Sequence, residues 1–293
     1  MLQTTLAFLA IVIAAATGRA GAGPQGPALE QTDAASVHRV NVIDGADDRD
    51  SLLTLGPALG LTQDEIAQIR RVSGYVGCFR PSPSVGTGAL FLTDRQILTA
   101  AHILFDPSGV RRSKCFFRNQ DAAPVMIDLL TDGRNLRAGG EGPKAGSNDD
   151  WVIVRLVEPV PGAAPFAVDT ASPVRAGDAL IVVTAHPAGM ARDVDKSVPV
   201  VQACTVRRAP ISAHATSFYR TDCDATGSSS GGLHLARVGG RLVFRGITIT
   251  TGPWRDPALL GAPYDERKGS VTTALGTDGA ILAAGNSLVA EPY

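Results

Sequence analysis

Short apolar stretches, broken at close intervals by glycine, proline and aspartate, constrain this chain more than any other feature. GALFL (88–92) and QILTAA (96–101) are joined by TDRQ, the pattern of a β-hairpin. Further stretches of the same kind are PVMIDLL (124–130), WVIVRLV (151–157), ALIVVTA (179–185), VPVVQACTV (198–206), SFYRTD (217–222), GLHLARV (232–238) and RLVFRGITIT (241–250). Many short strands spaced by turn residues predict an antiparallel all-β architecture, a barrel or a sandwich. Two segments break the pattern. In LTQDEIAQIRRV (61–72), Thr62 stands as an N-cap with Glu65 three residues on, a capping box that predicts a short helix. GTDGAILAAGNSLV (276–289) reads as a small helix near the C-terminus. No repeat of fixed short period occurs. The Pro/Gly/Ala-rich EPVPGAAPFAVDTASP (158–173) marks a boundary between two similar halves, 37–160 and 161–293.

At 293 residues and 44% hydrophobic content, the chain is long enough for a sizeable core in one or two units. A net charge of −1, with no basic patch, argues against nucleic acid as a partner. The N-terminus carries an apolar run, Leu6 to Thr17, then Ala20-Gly21-Ala22, a small-x-small leader-peptidase site that predicts cleavage after Ala22. The run falls short of the ~20 residues that span a bilayer, and no later segment looks transmembrane. Residues 23–36, rich in Gly, Pro and Ala, read as a disordered or propeptide-like segment. Four cysteines, Cys78, Cys115, Cys204 and Cys223, lie outside the leader, and an even count in an exported chain suggests two disulfides. Of the three possible pairings the preferred one is Cys78–Cys115 with Cys204–Cys223, because each then closes a loop within one half. Neither CxxC nor HExxH occurs, so no metal is expected.

Three motifs carry chemistry. GTGALFLTDRQILTAAHIL ends at His102 and Leu104, and the small Thr-Ala-Ala side chains leave room for a partner beside the imidazole. A histidine near its ordinary pKa of ~6.5 can accept and return a proton at neutral pH. In SNDDWVIVRLVEPV, Asp150 directly precedes an apolar strand, which puts its carboxylate at the strand's mouth, with the adjacent Asp149 facing solvent. TDCDATGSSSGGLHL (221–235) crowds three serines between glycines. Serine as a nucleophile needs a base and donors for the oxyanion it creates, and glycines let backbone N–H groups turn inward. Taken singly, each motif has a bland reading: a structural histidine, a turn aspartate and a flexible loop.

Taken together, in the order His102, Asp150, Ser230, the motifs resemble the trypsin/chymotrypsin-like serine peptidases, whose order differs from that of subtilisins and α/β-hydrolases. LTAAH matches the family's histidine motif, DWVIVRL its aspartate and apolar strand, and SSGG its serine with two glycines; the resemblance spans roughly 37 to 285. It is similar above all to the bacterial secreted, glutamyl endopeptidase-like branch, through VIDGADDRDSL (42–52) and TAHPAG (184–189). The resemblance implies two packed antiparallel six-stranded β-barrels, chymotrypsin-like, with a short C-terminal helix. It implies a secreted or periplasmic monomer that hydrolyses peptide or protein substrates without a cofactor, and without membrane contact once the leader is removed. His186, within TAHPAG, then falls at a strand end in a structural position. His38, His214 and His234 have no motif around them and read as structural or exposed.

Two registers compete for the nucleophile. Ser230 fits Ser-Gly-Gly, and a strand begins three residues after it; Ser229 fits a literal G-x-S-x-G from Gly227 to Gly231. Ser230 is favoured, which gives the oxyanion hole to the N–H groups of Ser228 and Ser230. Serine then stands at 228 where the family has glycine, a source of strain if that residue needs positive φ. Ile103 replaces a common cysteine, and no Ile-Val-Gly-Gly-like start exists for insertion of a new N-terminus. For substrate selection, Asp224 falls near the pocket carboxylate of trypsin-like enzymes, though it reads equally as a turn residue. Thr248, in the pocket wall GITITTG (246–252), stands where glutamate-specific relatives place a histidine, which disfavours glutamate. The alternative is a catalytically inactive binding protein on the same double barrel.

Overall fold

The computed structural model describes residues 42–140, 145–169, 173–185, 194–210, 217–252, 257–259 and 261–292. The leader, the 23–36 segment, His38, His186 and His214 lie outside these residues. The described chain opens with β1 (Asp50–Ser51), α1 (Leu52–Ala58) and α2 (Gln63–Val72). A first run of strands follows: β2 (Ser73–Arg80), β3 (Ser84–Leu90), β4 (Gln96–Thr99), β5 (Ser113–Asn119), β6 (Met126–Leu130), β7 (Leu136–Ala138) and β8 (Val152–Leu156), with the one-turn helix α3 (Ala101–Leu104) after β4. The second run is β9 (Ala167–Val168), β10 (Ala179–Thr184), β11 (Val200–Arg208), β12 (Phe218–Thr221), β13 (Leu233–Val238), β14 (Arg241–Thr251) and β15 (Thr272–Gly276), ending in α4 (Gly279–Ala290).

Each run closes into a six-stranded antiparallel barrel. The first follows β4-β3-β2-β5-β6-β8 and shuts through β4–β8, with β7 added on β8. The second follows β11-β10-β13-β14-β15-β12 and shuts through β11–β12, with β1 and β9 added at its flanks. Closure removes the exposed edges that short strands would otherwise present. Two strands carry little sequence signal. Glycines at 74 and 77 dilute the apolar alternation of β2, and β5 reads SKCFFRN. Cross-strand pairing sets both: Cys78 lies opposite Cys115 in register and the two are disulfide-bonded, while Cys204 bonds Cys223 in the second barrel.

One buried apolar cluster runs through both barrels, and Phe91 of the first meets Phe244 of the second edge-on at 5.8 Å. The capping box forms as its residues dictate: Glu65 N donates to Thr62 Oγ1 at 3.2 Å and Thr62 N donates to Glu65 Oε2 at 2.8 Å. The chain ends cross between halves, which differs from a simple division at residue 160. β1 joins the second barrel, pairing Asp50 with Val201, and α4 packs on the first. There, buried Arg155 of β8 donates through Nη1 to Pro292 O at 3.1 Å, and Gly285 lets α4 approach Phe91. Composition at 158–173 marks the barrel boundary but says nothing of where distant ends will pack.

Candidate active site

His102 sits in α3, immediately after β4 delivers the chain to the seam between barrels. Ala100, at the N-cap, has no side chain to satisfy the first N–H groups. Asp150 supplies that acceptor from across the barrel: His102 N donates to Asp150 Oδ1 at 3.0 Å. The same carboxylate meets His102 Nδ1 at 2.8 Å through Oδ2, and Gly146 N donates to Oδ2 at 2.6 Å. The pairing of Thr99 with Val152 brings the two residues together across 48 positions of chain. Asp150 is fully buried, whereas His102 keeps 29% of its side chain accessible and Asp149 is exposed. A carboxylate acceptor keeps the proton on Nδ1, which leaves the Nε2 lone pair free to receive another.

The serine loop is built as a tight turn. Thr226 N donates to Ser229 Oγ at 3.0 Å, Ser229 N donates to Thr226 O at 3.1 Å, and Gly232 N donates to Ser229 O at 2.8 Å. Ser229 is thus fully buried with its hydroxyl engaged by the turn, while Ser230 is half-buried. Ser228 takes φ 72°, the left-handed region that disfavours a β-carbon. At Gly231 (φ 80°) a Cβ would lie 1.9 Å from Thr87 O, so only glycine lets the serine loop approach β3 this closely. No hydrogen bond joins the Ser230 hydroxyl to His102 among the described residues.

Thr87 of β3, near the start of the histidine motif and given no role by it, ties this arrangement together. Its N–H donates to Ser230 O at 2.8 Å, its Oγ1 donates to Ser228 O at 2.9 Å and accepts from Ala185 N at 3.0 Å, and its carbonyl accepts from Thr99 Oγ1 at 2.5 Å. Next to it, a Cβ at Gly86 would lie 2.2 Å from Ile103 Cδ1 and 2.8 Å from Ser230 O. Gly86 is therefore wedged between the histidine's neighbour and the serine's carbonyl. The small residues of GTG at 86–88 are the only signal that sequence offers for this contact.

The two candidate selectivity residues are both buried and hydrogen-bonded. Asp224, 4% exposed, accepts Ile43 N through Oδ1 at 2.7 Å and Asp48 N through Oδ2 at 2.9 Å. Burial pushes its pKa up to about 6, against the lowering effect of those two amides and of Arg49. Thr248, 1% exposed, contacts His234 Nε2 through Oγ1 at 2.8 Å, and Tyr219 Oη contacts His234 Nδ1 at 2.9 Å. Burial lowers the His234 pKa to about 3, so this imidazole is neutral, and burial raises the Tyr219 phenol above its ordinary value. Thr248 nonetheless adjoins the serine loop, since Gly231 N donates to Thr248 O at 2.7 Å.

Two closed barrels meeting at a histidine–aspartate pair and a serine turn are the chymotrypsin-like class of protein. The chain belongs to the trypsin-like peptidase domain family, whose pattern residues 86–243 match. Solved structures share the fold at low identity. A Glu endopeptidase superposes with TM-score 0.62 at 13% identity, covering 85% of this chain and 100% of that one. A thermostable serine protease from an extremophilic microorganism gives 0.54 at 15%, covering 77% and 100%. The protease Anisep from Arthrobacter nicotinovorans gives 0.54 at 16%, covering 76% and 98%. No curated protein sequence matches the chain.

Proposed function

We propose that the chain is a secreted serine endopeptidase working through His102, Asp150 and Ser230. The observation that carries this reading is the fully buried Asp150 carboxylate on His102 Nδ1, within the barrel seam that the serine turn closes. His102 Nε2 takes the proton of Ser230 Oγ as that oxygen attacks a peptide carbonyl. The N–H groups of Ser228 and Ser230 receive the oxyanion, His102 returns the proton to the leaving amine, and water releases the acyl group. In unliganded enzymes the serine–histidine contact is often long and tightens when substrate enters. Ser230 rather than Ser229 is the nucleophile in this reading, because the Ser229 hydroxyl already accepts from Thr226 N.

Export follows from the apolar leader ending at Ala22, and the two disulfides suit an oxidising compartment. Membership of the glutamyl endopeptidase-like branch rests on VIDGADDRDSL and TAHPAG, without glutamate preference, since Thr248 replaces the histidine of that branch. Asp224 is assigned to holding residues 43–48 rather than to reading substrate. The test is fluorophosphonate labelling of the purified protein. Wild type and Ser229→Ala should label and Ser230→Ala should not; a folded wild type that stays unlabelled overturns the reading. Cleavage-site profiling on a denatured proteome digest then reads the P1 preference directly.

A further inference from the structure

Arg49 is 1% exposed, a place where a guanidinium is almost never found without partners. Asp47 grips it bidentately, accepting from Nε at 2.8 Å and from Nη2 at 3.0 Å. From its other side Nη1 donates to Thr226 Oγ1 at 2.9 Å. Thr226 is the residue that closes the serine turn, through its N–H to Ser229 Oγ and its carbonyl to Ser229 N. Two residues earlier, both Asp224 oxygens hold the amides of Ile43 and Asp48. The segment itself is anchored, with Asp50 paired to Val201 and Leu52 N donating to Pro199 O at 2.9 Å.

The turn needs this support. An L-residue in the left-handed region is strained by its β-carbon, and Ser228 sits there with φ 72°. A relaxed Ser228 would rotate its peptide and carry its N–H away from the site. The turn's own hydrogen bonds oppose that relaxation, and so do contacts from outside it. Among the outside contacts, Thr87 Oγ1 holds Ser228 O directly, and the Arg49–Thr226 bond holds the residue that closes the turn.

We propose that Arg49 is a positioning residue: acting through Thr226, it holds the 226–229 turn so that the N–H groups of Ser228 and Ser230 converge on the oxyanion. This latch rests on the serine-peptidase reading.

The test uses the full chain and the rate of inactivation by a fluorophosphonate, whose addition builds the same oxyanion. Thr226→Val should lower the maximal inactivation rate about 100-fold, the scale of a donor misplaced by about 1 Å, with the probe's apparent binding constant within about twofold. Thr226→Ser, which keeps the hydroxyl, should recover most of the rate. Arg49→Met should match Thr226→Val, and the double variant should be no slower than the slower single one. Should Arg49→Met fail to fold, the Thr226 pair still decides the matter. Thr226→Val labelling at the wild-type rate, or Thr226→Ser labelling as slowly as Thr226→Val, overturns the latch while leaving the peptidase intact. A wild type inert to the probe removes the peptidase reading and the latch with it.

Discussion

Acidification should act on this protein through two buried groups of opposite sign. His234 is held neutral, with its pKa lowered from an ordinary 6.5 to about 3 by burial between Tyr219 and Thr248. Its contribution to stability is present above pH 6.5 and is lost as pH falls toward 3, because the unfolded chain takes up a proton that the folded one refuses. From pH 6.5 to 5 that loss is roughly 1 to 2 kcal/mol. Asp224 runs the other way. Its pKa is raised from 3.8 to about 6, so its contribution is fullest below 3.8 and disappears as pH rises through 6. Over the same acidification it restores about 1 kcal/mol. The two nearly cancel, and wild type should show little net change from them. The measurement is urea unfolding at pH 6.5, 6.0, 5.5 and 5.0 in a Ser230→Ala background that prevents self-digestion. His234→Gln should become more stable on acidification by about 1 kcal/mol, while Asp224→Asn should become less stable by roughly 1 to 2 kcal/mol. Parallel slopes for wild type and His234→Gln would refute the claim that the fold excludes an imidazolium from this site.

Other expectations concern the seam and the turn. Asp150→Asn keeps the shape of the pair but favours the wrong tautomer of His102, and kcat should fall about 10⁴-fold. Stability should fall by about 1–3 kcal/mol as well, since the new amide N–H faces the backbone N–H of His102 or Gly146. Ser228→Gly removes a β-carbon from φ 72° at the price of a more flexible unfolded chain, so Tm should rise by an amount equivalent to about 0.5 kcal/mol. A lower Tm would mean that the serine side chain makes contacts that outweigh the strain. Gly86→Ala drives a methyl to within 2.2 Å of Ile103 Cδ1 and 2.8 Å of Ser230 O. Labelling by fluorophosphonate should slow at least tenfold, and Ile103→Val in the same chain should restore part of it; full activity of Gly86→Ala alone would show that the seam yields freely.

Local chemistry was legible in the sequence because it depends on near neighbours. The Thr62–Glu65 capping box, the 88–99 hairpin and the strands at 152–156, 233–238 and 241–251 all follow from side chains within a few residues of each other. So did the three chemical motifs, since each is a short run of residue types. Contacts between distant segments were not legible. β2 and β5 are strands because their partners make them so, despite diluted apolar patterns. Residues 42–51 stood out in sequence only as a resemblance and were assigned to the first half, yet they pack on the second barrel, because β1 pairs with β11. Asp224 reads from sequence as either a pocket carboxylate or a turn residue; tertiary packing put amides of 43 and 48 on both its oxygens. Sequence favoured Ser230 over the neighbouring Ser229 through Ser-Gly-Gly and the strand that follows, but only the fold shows what each hydroxyl meets. The turn takes the Ser229 hydroxyl as acceptor for Thr226 N and leaves Ser230 half-buried.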